Sequence, residues 1–198
     1  MMNQQDEILY SKIEMTLLRS PLEAIVSITV KSTEVLNSDL ALLKFLVGEK
    51  NMSGIVVCVD RDYKQMKDLI ESIGIDSESL LYIDAVTLYT GKELEENHHE
   101  NVFFVDSPSN LTFIDIGITE LVERLNGGFL IFDCLSSLKL YNNPKTLGVF
   151  MYDLASKLRL EGVYGVITLI EEDSGMELHS TIKAFCDKNV VIKTGRDI

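Results

Sequence analysis

The sequence predicts a three-layer α/β/α domain built on a mainly parallel central sheet of about seven strands. Two observations carry this. Several stretches are unbroken apolar runs, such as Ile55-Val56-Val57-Cys58-Val59 and Phe129-Leu130-Ile131-Phe132, and strands read this way when helices cover both faces of a sheet. Between them lie stretches with apolar residues at helical spacing, and alternation of the two kinds gives βαβ units.

In chain order, residues 5–19 come first, with Ile8, Leu9, Ile13, Leu17 and Leu18 on a roughly helical stripe that stops before Ser20-Pro21. They predict an N-terminal helix within residues 1–20 that docks on a core formed by residues 21–198. Strands are expected at 24–30, 54–59, 80–83, 101–105, 129–132, 163–169 and 190–192. Those at 24–30 and 129–132 should be central, with Ile28, Val57, Ile131 and Leu154 among the most buried side chains. Leu36, Leu40, Leu43 and Val47 mark one helix face before Gly48, and Met66, Leu69, Ile70 and Ile73 another before Gly74, a suitable left-handed cap. Asn143-Pro144 opens a further helix with a capping residue and a proline in the first turn, and Leu147, Met151, Leu154 and Leu158 run along it to Gly162. Residues 84–100 read as a long, acidic, solvated loop holding Gly91, Glu93, Glu95, Glu96 and the pair His98-His99.

Hydrophobic residues make up 46% of the 198 and charged residues 25%, the balance of a folded domain rather than a disordered chain. Eighteen Lys and Arg against 31 Asp and Glu give a formal charge of −13. That field repels polyanions, and the basic residues form no run with interleaved aromatics, so nucleic acid is not an expected partner. Cys58 and Cys134 sit in strand-like runs and Cys186 in a helical pattern, without metal-ligand spacing, as reduced thiols in a cytoplasm would. Residues 1–7 are polar and acidic rather than signal-like, and no segment approaches the roughly 18 apolar residues of a membrane span. A soluble cytoplasmic protein is the expectation.

Chemistry is expected at two strand ends. Phe129-Leu130-Ile131-Phe132-Asp133 is an apolar strand ending in a carboxylate, followed by Cys134-Leu135-Ser136-Ser137. An acid there can hold Mg²⁺ through water beside bound phosphates. A buried strand also ends in Asp simply where the chain turns, the carboxylate then accepting N–H groups of residues 135–137 or pairing with a base. A phosphate loop needs G-x-x-x-x-G-K-[ST], because glycine lets successive backbone N–H groups converge on phosphate. Lys31-Ser32-Thr33 superficially ends such a motif, but Ile25 and Val30 hold the glycine positions and the first glycine of the chain is Gly48. Lys31 then reads as a solvated residue after a strand, and Ser32 or Thr33 as a turn or helix cap. Lys31, Ser32, Thr33 and Asp133 are the candidate cofactor-binding residues, with Asp133 also the candidate metal ligand. His98 and His99 diverge as neighbours and lack a third ligand. His179 is a possible base with no nucleophile paired to it, and Ser136 and Ser137 lack a G-x-S-x-G elbow.

The run 128–138, Tyr141-Asn142-Asn143-Pro144-Lys145-Thr146 and the run 157–166 resemble the archaeal KaiC-like domains of the RecA superfamily, as do Met52-Ser53-Gly54-Ile55-Val56-Val57 and Val105-Asp106-Ser107-Pro108-Ser109-Asn110-Leu111-Thr112. The resemblance covers most of residues 22–193 and implies a RecA-like P-loop NTPase fold. Members with an intact site are ATPases, which implies a metal-site acid at Asp133. It also implies a catalytic glutamate after the strand next to the phosphate-loop strand, where the matching stretch is Val59-Asp60-Arg61-Asp62 and Asp60 is the candidate. Aspartate is shorter by one methylene, about an ångström, which matters to a base that must come within hydrogen-bond reach. With the glycines also missing, the resemblance implies a degenerate branch without a functional P-loop. Such a protein would be non-catalytic and regulatory or scaffolding in archaeal signal transduction, with no cofactor and no membrane contact. It would act through a protein partner or self-association, since RecA-like domains pack head to tail in rings or filaments. The alternative is an ATP-binding protein or ATPase using Mg²⁺ at an unorthodox site of Lys31, Ser32, Thr33, Asp60 and Asp133.

Overall fold

The computed structural model describes residues 4–18, 20–21, 23–94, 100–125, 127–173 and 175–193. Among the described residues seven strands and six α-helices follow one another: α1 (Gln4–Leu17), β1 (Ile25–Val30), α2 (Val35–Leu43), β2 (Gly54–Cys58), α3 (Tyr63–Ser72), β3 (Leu80–Asp84), β4 (Val102–Phe104), α4 (Leu111–Val122), β5 (Phe129–Phe132), α5 (Pro144–Leu160), β6 (Tyr164–Ile170), α6 (Glu177–Phe185) and β7 (Lys188–Val191). All strands lie in one sheet of order β4-β3-β2-β5-β6-β1-β7, and every pairing is parallel.

A parallel sheet must be covered on both sides, and the strand residues divide accordingly. Val26, Ile28, Val56, Cys58 and Ile131 pack with the apolar sides of α1, α2 and α3. Ile25, Ile55, Val57, Leu130 and Phe132 pack with those of α4, α5 and α6. Each fully buried aliphatic side chain contributes on the order of 1.5–3 kcal/mol relative to exposure, so these two layers drive the fold. Ile28 and Val57 are fully buried, and Ile131 and Leu154 are 1% exposed. β5 is the middle strand, whereas β1 lies second from one edge rather than at the centre, because only β7 follows it outward.

Local signals explain the helix ends. Asn143 caps α5 by accepting the Thr146 N–H at 2.9 Å, Pro144 occupies the first turn, and Gly162 beyond the end has φ +65°. α3 opens with a capping box between Asp62 and Gln65 and closes at Gly74, φ +81°.

Three helix and loop readings need correction. On α1, Leu9, Ile13 and Leu17 are buried, but Ile8 and Leu18 face outward. On α2, Leu43 is fully buried, but Leu36 and Leu40 are only half-buried, and so is Val47 in the π-helical turn (Lys44–Glu49) that prolongs it; Val35, Ser38, Asp39, Ala41 and Leu42 are buried as well. With α1 packed on a second side, α2 carries apolar residues around much of its girth, and the leucine spacing alone caught only part of its buried surface. The expected solvated loop begins as a buried turn: the Asp84 carboxylate accepts the N–H groups of Tyr63, Val86 and Thr87 at 2.8–2.9 Å and the Thr87 hydroxyl at 2.7 Å. Within it, Lys92 pairs with Asp62 at 2.5 Å. His98-His99, Glu95 and Glu96 lie outside the described residues.

Candidate functional site

In an open α/β sheet, ligand sites form outside the carboxyl ends of the strands, and the candidate residues lie there. Lys31, Ser32 and Thr33 follow β1, Asp60 follows β2 and Asp133 follows β5. β6 runs between β1 and β5, so the ends of those two strands stand roughly 10 Å apart at two strand spacings. Asp60 and Asp133 come together, while the three residues after β1 form a separate group. β2 is also not the neighbour of β1, since β5 and β6 separate them; the expected placement of Asp60 beside a phosphate-loop strand is thereby corrected.

At the end of β1 the chain passes through one extended residue, Lys31 (φ −65°, ψ 150°), into a 3-10 turn (Ser32–Glu34) and then α2. Among the described residues only Asn51 and five glycines, all outside this segment, have positive φ. Lys31, Ser32 and Thr33 are exposed. The Ser32 N–H donates to both carboxylate oxygens of Glu172, at 3.2 and 3.1 Å, and the Ser32 hydroxyl to Oε1 at 2.9 Å. Glu172 belongs to the 3-10 turn (Glu171–Asp173) after β6. Its carboxyl is held below the usual range by its own backbone N–H and by the Ser32 hydroxyl.

The end of β5 is the opposite environment. Asp133 is fully buried. Its Oδ1 accepts the N–H groups of Val59 at 2.8 Å and Asp60 at 3.2 Å, and its Oδ2 those of Asp60 at 3.1 Å and Arg61 at 3.0 Å. The local role expected of this residue is present, with different donors: the acid holds the turn after β2 rather than residues 135–137. The register explains why, since Val57 pairs with Phe132 and the two strands deliver their next residues side by side. Burial pushes the carboxyl up to about 6 against those three donors. At neutral pH it is therefore ionised, a charge enclosed by backbone dipoles.

The Asp60 side chain accepts the Ser137 hydroxyl at 3.2 Å and pairs with Arg61 at 3.4 Å. Ser136 donates to Asp173, which also pairs with Lys139. Among the described residues no group of three His, Cys, Asp or Glu is placed to hold a metal ion. His179 on α6 is 4% exposed, its Nε2 has no partner among the described residues, and burial holds its pKa down. The cysteines are free, with Cys58 buried. No helix among the described residues is long and apolar enough to cross a membrane.

Two residues escaped the sequence reading. Asp39 on α2 is fully buried, and Thr168 on β6 donates its hydroxyl to Asp39 Oδ1 at 2.8 Å. Asp39 Oδ2 has no hydrogen-bond partner among the described residues. Burial drives this carboxyl well above the usual carboxylate range; the Thr168 hydroxyl opposes the shift and the Asp133 charge adds to it. The available signal was an acid recurring with Val35 and Leu42 at helical spacing, a charge on a core face.

No family model matches the sequence, and no curated protein matches it. Among solved structures, a KaiC-like protein from the hyperthermophilic archaeon Pyrococcus horikoshii OT3 is similar at a TM-score of 0.55, over 85% of this chain and 72% of that one, with 14% sequence identity. A likeness at that identity concerns the backbone arrangement. The all-parallel sheet with helices on both faces and this neighbour together give the chain a RecA-like α/β fold.

Proposed function

We propose that the chain is a non-catalytic RecA-like module, a regulatory or scaffolding protein of archaeal signal transduction that works in the cytoplasm through protein contacts. The observation that supports this most is the internal use of the groups a nucleotide would need. The first N–H and hydroxyl after Lys31 are engaged by Glu172, and both oxygens of Asp133 are engaged by backbone N–H groups. A phosphate approaching Ser32 meets a carboxylate of the same sign, and a metal approaching Asp133 must displace hydrogen bonds in a buried site. A partner protein or a second copy of the chain is the ligand of this reading.

Thermal melting with and without Mg-ATP tests it. A ligand at about 100 times its dissociation constant adds roughly 2.7 kcal/mol to stability, a shift easily seen in a domain of this size. The expected result is no shift at millimolar nucleotide. A clear shift would favour a nucleotide site built from Lys31, Ser32, Thr33, Asp60 and Asp133. Light scattering and pull-down from the native host probe the second half, and a strict monomer with no partner counts against a scaffolding role.

A further inference from the structure

Asp39 and Asp133 are two fully buried carboxyl groups near the carboxyl ends of β6 and β5, and their partners differ in kind. Asp133 accepts three backbone N–H groups, an arrangement suited to a carboxylate. Asp39 has one hydroxyl and an oxygen without a partner among the described residues. An ionised Asp39 would bury a charge that one hydroxyl alone stabilises, with another carboxylate acting on it, whereas a neutral carboxylic acid carries a far smaller desolvation cost. The surroundings thus favour the neutral form at Asp39 and the carboxylate at Asp133.

Two charged groups act on the Asp39 carboxyl: Asp133 from the end of β5 and Arg61 from the turn after β2. β6 presents the Thr168 hydroxyl, and β2 ends in Cys58, a thiol that burial and Asp133 keep protonated. From the helices packed on the other flanks, Tyr10 of α1 lies under the Lys44 ammonium, 4.9 Å from the ring centre, and Tyr63 of α3 packs against Tyr82 and Phe104.

We propose that Asp39 is a proton-dependent clasp, holding α2 against β6 while its carboxyl is protonated and letting the helix open more readily as pH rises. The clasp works the same way whether nucleotide or a protein partner binds. When α2 leaves β6, Asp39 meets water and releases its proton at any pH well above its ordinary value of about 3.9. Opening is then coupled to loss of one proton, and its equilibrium constant rises by up to about tenfold per pH unit until Asp39 ionises in the closed state.

The test is hydrogen exchange of the α2 amides, read by mass spectrometry and corrected for intrinsic rates, between about pH 6.5 and 8, above the Asp133 transition and below that of an ordinary thiol. In the wild type the opening constant should rise several-fold to tenfold per pH unit. In Asp39→Asn, which keeps the shape and the Thr168 contact but has no proton to lose, it should be nearly flat. An equal pH slope in the variant overturns the proposal. Should the variant not fold, infrared spectra of wild type carrying ¹³C-labelled aspartate decide: a protonated carboxyl band at pH 7 is expected, and its absence overturns the proposal.

Discussion

The ends of β1 and β5 present the same contact, a carboxylate accepting backbone N–H groups, in opposite surroundings. Glu172 accepts from Ser32 in water; Asp133 accepts from Val59, Asp60 and Arg61 with no exposed surface. The pKa directions are reversed: Glu172 is held below its ordinary value and Asp133 is pushed up to about 6. Donors stabilise the charged form in both places, but burial outweighs them only at β5. Hydrogen-bond geometry alone therefore does not say whether a strand-end acid is a cheap surface latch or a charge held at a cost.

The largest effect should follow from breaking the buried contact. Asp133→Asn replaces one acceptor oxygen by an amide that points hydrogens at backbone hydrogens, leaving one or two of the three N–H donors without a partner. It should lower stability by about 1–3 kcal/mol at neutral pH, read as the urea midpoint at unchanged slope, without any new response to Mg-ATP. Loss of a nucleotide response present in the wild type would instead place Asp133 in a working metal site. pH sharpens the contrast. A group with a raised folded pKa gives stability fully present below its unfolded value and lost as pH rises through the folded one. Asp133 should contribute a decline between about pH 4 and 6 that the Asn variant lacks, measured by denaturant unfolding across that range.

Next in size is Thr168→Val, which removes the hydroxyl donated to Asp39 and keeps the β-branched shape suited to a strand. About 1 kcal/mol of stability should be lost. A loss no larger than experimental scatter would mean that Asp39 turns to another donor when its hydroxyl partner is gone.

The strands and the capped helices were legible because each has a local cause. Apolar runs too long to alternate require two covered faces, and Asn143-Pro144 or Gly74 punctuate helices by backbone chemistry alone. Asp133 was legible as a position, at the end of an apolar run, but its donors were not. Val59, Asp60 and Arg61 lie more than 70 residues away, and only the register of β2 on β5 brings them there. Strand order was equally non-local, and it decides that Asp60 sits three strand positions from β1. Asp39 was hidden by its helix: apolar residues toward both α1 and the sheet blur the periodicity, so the leucines drew attention from the acid between them.

The smallest expected effect belongs to Glu172→Gln, and it sharpens the comparison most. The amide keeps an acceptor for Ser32 and loses only a charge in full solvent, where contacts of this kind contribute little and are screened by salt. The melting temperature at neutral pH should fall slightly or not at all, and any difference should vanish at about 1 M salt, where the Debye length is near 3 Å. The sign with pH is opposite to that of Asp133: a lowered folded pKa gives stability present above the unfolded value and lost as pH falls through the folded one, so any difference should disappear in acid. The same variant removes the negative charge from the first N–H after β1. If Glu172 merely finishes a helix start, Glu172→Gln should respond to Mg-ATP no more than the wild type does. A melting shift gained only in the variant would show that the end of β1 is an anion site held shut by the chain's own carboxylate, and the two strand ends would then differ in function as well as in burial.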